Sequence, residues 1–514
     1  MKCYLKVVEL LSDCVNDVRR LGFLKKFLLG LLALFWGNVC FAQSAYSDSS
    51  ELPNKPAAQF IEPLLEALNS SDPEQIELFV KDNYTPEFLD KYPMDMHIGY
   101  MLNNHARHGD YAFHSVRSFD EPKPETEQVV ILKTARTELW QGLVIHVTPE
   151  EPYKINSIDL VRARPPSNLP KLSSLTIEEA LEELDSYVKR MAEKDVFSGS
   201  VLLAKGDKVL YKAAYGLASK RFGVPNNLQT KFNLGSMNKM FTSIAAMQLV
   251  EGGKLSLDDK LSKFADESWL PKDVSDKIEI RHLLTHSSGL GSYFNQTYMN
   301  TSKNRYRDLD DYKPLIIDET LRFEPGTDNS YSNTGMFMLG VVIEKVSDQN
   351  YFNYIRDHIY EPAGMTNSDS YEMDQPVPNL AIGYEPNRHN ETGWSNNLYS
   401  HVLKGGPAGG GFSTVEDLHL FALALTQFKL LDKKSTEELY SPKPDLHSPS
   451  YGYGFGVRGT PNDRIVGHNG GFEGINSNLD IYLDQGYVSA VMSNYGGGAR
   501  PIENKIRELL ELID

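Results

Sequence analysis

The chain has 514 residues, of which 41% are hydrophobic and 24% are charged, and its formal net charge at pH 7 is -17. A chain of this size and composition can bury a large core and is expected to divide into two domains. Its acidic surface would repel phosphate backbones and anionic lipid surfaces, which argues against nucleic acid as a partner.

The first 42 residues are typical of a signal peptide. Lys25 and Lys26 precede an apolar run from Phe27 to Trp36, and small residues follow it. The run is shorter than the ~20 residues that a bilayer-spanning helix requires, which favours a cleaved leader over a permanent anchor. Val39 stands where lipid attachment at Cys40 would need a small residue, which disfavours a lipoprotein. We therefore predict an exported, periplasmic or secreted protein with no membrane insertion once the leader is removed.

All three cysteines, Cys3, Cys14 and Cys40, lie inside this predicted leader. The mature chain would then have no disulfide, no thiol nucleophile and no cysteine-based metal site. His105 and His108 lie close together in the sequence, but no third ligand follows at a suitable spacing. We predict that they are surface histidines, and we expect neither a metal nor a cofactor.

Residues 57–163, preceded by a linker at residues 43–56, are predicted to form a small α+β domain. Apolar residues at helical spacing predict two short helices, around residues 60–68 and 76–80. Three apolar clusters separated by turn residues then predict strands, at residues 129–132, 143–147 and 155–160. Helices followed by strands indicate an α+β unit. Its pattern resembles the cone-like folds of nuclear transport factors and polyketide cyclases.

A second domain is predicted over residues 173–514, after a linker at residues 164–172. The linker contains Pro165, Pro166 and Pro170, which can continue neither a helix nor a central strand. Thr176 and Glu179 then form a capping box for a helix that runs to about Lys194.

The two ends of this domain are predicted to pack together. Strands are expected at residues 199–204 and 208–215, joined by a tight turn at Gly206 and Asp207. The last residues carry apolar side chains at helical spacing, which predicts a C-terminal amphipathic helix. Both terminal helices are expected to cover one face of an antiparallel sheet.

The first chemical signal is the run Gly235-Ser236-Met237-Asn238-Lys239, at the start of a predicted helix. Side chains three positions apart lie on one helical face, where a neutral lysine amine could take the serine proton. The helix N-terminus adds positive potential. The same spacing occurs at Ser186 and Lys189, but that serine lies in the middle of a predicted helix. This context favours Ser236.

The second signal is Tyr331-Ser332-Asn333, which follows the loop-forming run from Phe323 to Ser330. Such a loop can direct a phenol and an amide into a cleft. A tyrosine two positions before an asparagine also occurs at Tyr298 and Tyr351, in an irregular segment and in a helical pattern.

The third signal is Gly467-His468-Asn469-Gly470-Gly471, on a predicted strand whose glycines would let a substrate backbone approach closely. The alternative interpretation of this run is a simple hairpin turn.

Taken in order, the three motifs resemble the serine β-lactamase and penicillin-binding-protein superfamily, in particular the class C branch with its related esterases and D-aminopeptidases. The resemblance extends from about Thr176 to the C-terminus and includes residues 280–290, 361–365 and 405–414. It implies an α+β domain in which helices flank an antiparallel sheet and a helical subdomain is attached. His282 and His286, in the first of these runs, are interpreted as structural.

The resemblance also implies a role for each motif residue. Ser236 would be the acylated nucleophile, and Lys239 and Tyr331 would carry protons. Asn333 would orient the substrate and the lysine. His468, Gly470 and Gly471 would line the substrate site, with the backbone N–H groups of Ser236 and Gly471 as the oxyanion hole.

One position departs from the pattern of β-lactamases and carboxypeptidases, which typically carry a lysine where this chain has His468. Because histidine is only partly protonated near neutral pH, a fixed cation for a substrate carboxylate is missing. Histidine at this position resembles the esterase and D-aminopeptidase members instead.

We therefore predict an exported serine hydrolase that acts through an acyl-enzyme on an ester, amide or D-amino-acid peptide bond. Its substrate would be a small molecule or derived from peptidoglycan. Two alternatives remain open at this point. One is a penicillin-binding or peptidoglycan-sensing module that is acylated without efficient turnover, and the other is a true β-lactamase or DD-carboxypeptidase.

Overall fold

The computed structural model describes residues 46–121, 123–169, 173–387, 392–460 and 463–513. The predicted signal peptide lies outside these ranges, so export and leader cleavage stay predictions. Within them, no helix is both long enough and apolar enough to cross a membrane. The chain divides into two compact units, with the boundary between Lys171 and Leu172.

In its described residues, the first unit contains four α-helices and a five-stranded sheet. The helices are α1 Ile61–Asn69, α2 Pro73–Asn83, α3 Pro86–Lys91 and α4 Met94–His108. The strands are β1 Tyr46–Ser49, β2 Tyr111–Phe119, β3 Glu127–Thr134, β4 Trp140–Val147 and β5 Ile155–Arg162. The strands pair antiparallel in the order β1-β2-β3-β4-β5.

Two predictions for this unit were incomplete. We expected two helices, whereas α3 and α4 are also present; α4 buries only His97 and Met101, so its apolar spacing is weak. A proline directly after a capping residue, as at Asp72 and Thr85, marks the starts of α2 and α3 and could have revealed α3.

The second incomplete prediction is the linker at residues 43–56, part of which is strand β1. Polar contacts rather than apolar spacing hold this strand. The carboxylate of Asp48 accepts two hydrogen bonds from the Arg117 guanidinium, each at 3.0 Å, and the guanidinium lies 3.8 Å from the centre of the Tyr46 ring. A four-residue strand held in this way has no hydrophobic periodicity to read.

The second unit is built around a six-stranded antiparallel sheet and contains twelve strands in its described residues. They are β6 Gly199–Lys205, β7 Lys208–Tyr215, β8 Leu217–Ser219, β9 Val224–Pro225, β10 Phe232–Asn233, β11 Tyr384–Pro386, β12 Trp394–Asn396, β13 Phe412–Ser413, β14 Gly456–Thr460, β15 Asp463–Phe472, β16 Ile475–Tyr482 and β17 Tyr487–Ser493. The sheet has the order β14-β15-β16-β17-β6-β7, so both ends of the unit meet where β17 pairs with β6. The other strands form two-stranded pairs.

The described residues of the second unit contain twelve α-helices, some of which lie on the two faces of this sheet. The helices are α5 Ile177–Glu193, α6 Asn238–Glu251, α7 Lys272–Ser275, α8 Ile280–Leu284, α9 Gln296–Asn300, α10 Lys313–Ile316, α11 Asn333–Ser347, α12 Tyr351–Ile355, α13 Glu361–Ala363, α14 Val415–Thr426, α15 Lys433–Tyr440 and α16 Ala499–Leu510. The predicted fold class is confirmed: a mixed α+β unit with an antiparallel sheet and flanking helices follows a smaller α+β unit.

The first and last helices of the second unit share one face of the sheet. Leu184 and Val188 of α5 and Ile502 of α16 are fully buried in one apolar cluster with Val201 and Val491 of the sheet. The predicted capping box starts α5: the Glu179 N–H donates to Thr176 Oγ1 at 3.2 Å, and the Thr176 N–H donates to the Glu179 carboxylate at 2.8 Å. The opposite face carries a larger core that includes α6, α11 and α14.

A truncated chain that begins at Lys171 should fold by itself. The apolar clusters of the second unit use residues 175–513, and the cluster of the first unit uses residues 57–160. We expect cooperative thermal unfolding and a structured near-ultraviolet circular dichroism spectrum from the buried aromatic rings. Retained far-ultraviolet signal without the near-ultraviolet signal would indicate loose packing and would contradict independent folding.

Candidate active site

Ser236 lies in a short 3-10 turn, Gly235–Met237, that leads directly into α6. Gly235 has a φ of 51°, and a Cβ atom built on it would lie 2.9 Å from the backbone nitrogen of Gly471. Only glycine therefore allows strand β15 to approach the turn so closely. The serine hydroxyl is placed at a helix start beside the edge of the sheet, as the sequence predicted.

Lys239 is fully buried, and its amine has three hydrogen-bond partners. Nζ lies 2.9 Å from Asn333 Oδ1, 2.5 Å from the carbonyl oxygen of Ala408 and 3.1 Å from Ser236 Oγ. A neutral amine has two N–H groups and one lone pair. In the neutral amine the two carbonyl oxygens take the N–H groups and the lone pair is left for the serine hydroxyl, whereas an ammonium would donate its third N–H to Ser236 Oγ.

Burial lowers the pKa of Lys239 well below its usual value of 10.5. Desolvation is the cause, because removing an ammonium from water disfavours its charged form. Among the described residues, no carboxylate forms an ion pair with this amine to oppose the effect. The arrangement favours a lysine that acts as a base towards Ser236.

Tyr331 completes the hydrogen bonding of the nucleophile. Its phenol is hydrogen-bonded to Ser236, and its ring centre lies 4.8 Å from Lys239 Nζ. Burial raises the pKa of this phenol well above 10, so it stays protonated in the resting site. Ser236 can then donate to the lysine and accept from the tyrosine.

Asn333 is the first residue of α11 and connects the lysine to a second loop. Its Oδ1 accepts from Lys239, and its Nδ2 donates to Ser292 Oγ at 3.2 Å. Both ends of the amide are occupied, which fixes which atom faces the lysine.

His468 lies on β15 with both ring nitrogens engaged. Nδ1 lies 2.6 Å from the carbonyl oxygen of Asn469 and therefore carries the proton, while Nε2 accepts from the Tyr451 phenol at 3.0 Å. Desolvation by burial is the largest cause that lowers the pKa of His468 to about 3. Our expectation that this ring is partly protonated near neutral pH is therefore wrong, because the side chain is only 5% exposed.

The glycines of the same strand bring it against the nucleophile turn. A Cβ atom on Gly470 would lie 1.9 Å from the carbonyl oxygen of Leu234, so no other residue fits there. Gly471, the next residue of the strand, is exposed. The oxyanion hole between the N–H groups of Ser236 and Gly471 stays a prediction.

Sequence reasoning missed two aromatic residues of the site. The His286 ring lies 4.3 Å from the Tyr331 ring and 4.8 Å from the Tyr451 ring, measured between centres. Tyr451 in turn binds His468. We interpreted His286 as structural, following the family resemblance, and Tyr451 lies in a glycine-rich run that resembles an ordinary loop. Only the tertiary fold brings them to the nucleophile.

The described residues contain no group of three or more His, Cys, Asp or Glu side chains that could hold a metal ion.

Comparisons with known proteins point to one family. A family model described as beta-lactamase matches residues 184–512. Penicillin-binding protein 4* of Bacillus subtilis is 32% identical over 327 residues, which are 61% of this chain and 71% of that protein. The crystal structure of a penicillin binding protein from Bacillus halodurans superposes with a TM-score of 0.57 at 31% identity, over 63% of this chain and 98% of that one.

A D-amino acid amidase from Ochrobactrum anthropi SV3, solved with D-phenylalanine, is similar in fold. Its TM-score is 0.54 at 22% identity, and the match covers 65% of this chain and 97% of that one. At this identity the similarity concerns the fold alone.

Replacing Lys239 by methionine should reveal the cost of burying its amine. In wild type the unfolded chain binds more protons between the lowered pKa of Lys239 and 10.5, so stability rises with pH across that window. Lys239→Met has no amine at this position, so it lacks this pH-dependent rise in stability. Its stability relative to wild type should therefore fall as pH rises towards 10.5, by about 1.4 kcal/mol per pH unit.

Urea unfolding from neutral to alkaline pH measures this difference. Lys434→Met, at an exposed lysine, is the matched control and should show no such trend. A difference between Lys239→Met and wild type that stays constant with pH would contradict a lowered pKa.

Proposed function

This chain belongs to the beta-lactamase family, and from that premise we propose that its second unit is a serine hydrolase that acts through an acyl-enzyme on neutral esters or amides, D-aminoacyl amides among them. The observation that carries the proposal is the set of partners around Lys239 Nζ. Two carbonyl oxygens orient the amine so that its lone pair faces Ser236 Oγ. A buried, neutral base directed at a serine hydroxyl is the requirement for nucleophilic catalysis.

The acylation step follows from the hydrogen bonds. Ser236 Oγ attacks the substrate carbonyl carbon while Lys239 takes its proton, and the carbonyl oxygen becomes an anion near the N–H groups of Ser236 and Gly471. When the bond to the leaving group breaks, its nitrogen or oxygen takes the Tyr331 proton. The Lys239 ammonium then restores the phenol, so one proton passes from the serine to the leaving group.

Deacylation reverses the same proton transfers. A water molecule attacks the acyl ester, loses its proton through Tyr331 and Lys239, and releases the acid while Ser236 Oγ regains its proton. At the end of the full cycle, Lys239 and Tyr331 have both returned to their starting protonation states.

The electrostatics support a substrate without a carboxylate beside β15. His468 is uncharged near neutral pH, so this strand offers no cation at the position where a lysine would provide one. The rings of Phe294 and Phe472 stack with their centres 5.7 Å apart, and both rings are partly exposed. Because Phe472 directly follows Gly471, these rings support an apolar acyl group next to the reacting carbonyl.

The similarity to penicillin-binding proteins favours one second candidate, a penicillin-binding module that is acylated without efficient turnover. The deacylation rate separates the two functions.

Export to the periplasm or medium, and a small-molecule or peptidoglycan-derived substrate, are also part of the proposal. Purified protein should be assayed with short-chain esters, D-aminoacyl amides, D-Ala-D-Ala peptides and a chromogenic cephalosporin. Hydrolysis of neutral esters or amides is the expected result, and stoichiometric acylation without turnover would favour the second candidate.

Ser236→Ala should abolish hydrolysis and leave the fold intact, because alanine removes only the nucleophilic oxygen. We expect kcat/KM to fall by roughly 1,000-fold or more. Ser186→Ala is the matched control, since this exposed serine of α5 has the same spacing to a lysine. Its rate should equal that of wild type. Substantial activity in purified Ser236→Ala would reject the proposed nucleophile.

His468→Lys should shift the enzyme towards substrates that carry a carboxylate. A charge-assisted hydrogen bond contributes about 1.5–3 kcal/mol, so the ratio of kcat/KM for a carboxylate-bearing cephalosporin over a neutral ester should rise at least 10-fold. His468→Gln adds no charge and should leave this ratio unchanged. If lysine and glutamine give the same ratio, residue 468 does not face the substrate.

A further inference from the structure

His286 has a backbone conformation that costs free energy. It follows the short helix α8 by two residues and has a φ of 62°, in the left-handed region that residues with side chains rarely adopt. It is also 97% buried, with only 3% of its surface exposed. Such conformations persist only where the surrounding structure requires them.

The residue holds the chain on both sides of Tyr331. The Ser330 N–H donates to the carbonyl oxygen of His286 at 3.0 Å, and the Ser332 N–H donates to His286 Nδ1 at 3.2 Å. The imidazole ring also lies against the Tyr331 ring, 4.3 Å between centres. One residue therefore contacts the tyrosine and both of its neighbours.

These bonds determine the tautomer of His286. Because Nδ1 accepts a hydrogen bond, the ring proton is on Nε2, and Nε2 is buried with no hydrogen-bond partner among the described residues. Desolvation is the largest cause that keeps the pKa of His286 well below 6.5. The ring thus stays neutral and Nδ1 remains able to accept.

An unpaired buried N–H and a left-handed backbone both destabilise the fold, so stability alone does not explain this side chain. We propose that His286 is a positioning residue for Tyr331, which holds the phenol where it can protonate the leaving group. The inference rests on the proposed function, since it concerns the same proton transfer. Small displacements of a catalytic group are costly, because proton transfer requires hydrogen-bond geometry.

If His286 positions Tyr331, the rate that is lost when His286 is replaced should depend on the leaving group of the reagent. Opening of the β-lactam ring in the methyl ester of a penicillin, which carries no carboxylate, frees an amine nitrogen, which must take a proton. Reaction of Ser236 with a fluorophosphonate releases fluoride, which leaves without one. Misplacing Tyr331 should therefore slow the first reaction much more than the second.

The experiment uses mass spectrometry of the intact protein to measure how fast each reagent modifies Ser236 covalently, by acylation with the penicillin and by phosphonylation with the fluorophosphonate. In His286→Leu, which removes the acceptor, the penicillin rate should fall about 10- to 100-fold and the fluorophosphonate rate less than about 3-fold. In His286→Asn, Oδ1 can replace Nδ1 and asparagine tolerates the left-handed backbone, so most of the penicillin rate should return. If the leucine variant does not fold, His286→Gly removes the acceptor without backbone strain.

Two controls separate positioning from general destabilisation. His419→Asn removes another buried imidazole, which binds the carbonyl oxygen of Gly206 at 2.8 Å, and should leave the ratio of the two rates unchanged. In a Tyr331→Phe background, His286→Leu should not change the ratio further. Equal losses for both reagents in His286→Leu would overturn the positioning role alone. If neither reagent labels Ser236 in wild type, the proposed function fails and the positioning role fails with it.

Discussion

The candidate site depends on one buried amine, Lys239, which forms no ion pair with any described residue. Three separate parts of the second unit must meet for Lys239 to be accommodated: α6 supplies the lysine, the start of α11 supplies Asn333, and the glycine-rich loop at residues 405–411 supplies the carbonyl oxygen of Ala408. Each carbonyl takes one N–H group, and the lone pair is left for the nucleophile. A carboxylate in either place would hold the lysine as an ammonium and remove its capacity as a base.

Burial acts in the same sense on every titratable group around Ser236. It lowers the pKa of Lys239 and of His468 and raises the pKa of Tyr331, so in each case burial favours the uncharged form. The two basic groups also disfavour each other's charged form, because a charge on His468 would repel a charge on Lys239. The site can thus exchange protons within a chain of neutral hydrogen-bonded groups. A substrate carboxylate would meet no cation at position 468 of β15, which is the physical reason for preferring neutral esters and amides.

The parts of this arrangement that depend on short sequence patterns could be predicted. The spacing of Ser236 and Lys239 on a helix start, and the capping box of α5, are short patterns with a direct geometric meaning. The fold class follows from alternation of strands and helices and from the motif order, and it is confirmed. The protonation of His468 could not be predicted, because it depends on how completely other segments cover the ring. Ala408 acts through a backbone oxygen, which any residue would provide. His286 and Tyr451 reach the site only through tertiary packing, and strand β1 is held by an ion pair rather than by apolar periodicity.

The pKa of Lys239 tests the central claim most directly. It can be measured by NMR of protein labelled at the lysine Cε carbons, with the Lys239 signal assigned by its absence in Lys239→Met. We predict that this signal titrates well below the usual value of 10.5. A Lys239 signal that titrates at or above 10.5 would show that the buried amine is an ammonium in the resting site, and would contradict its role as the base for Ser236.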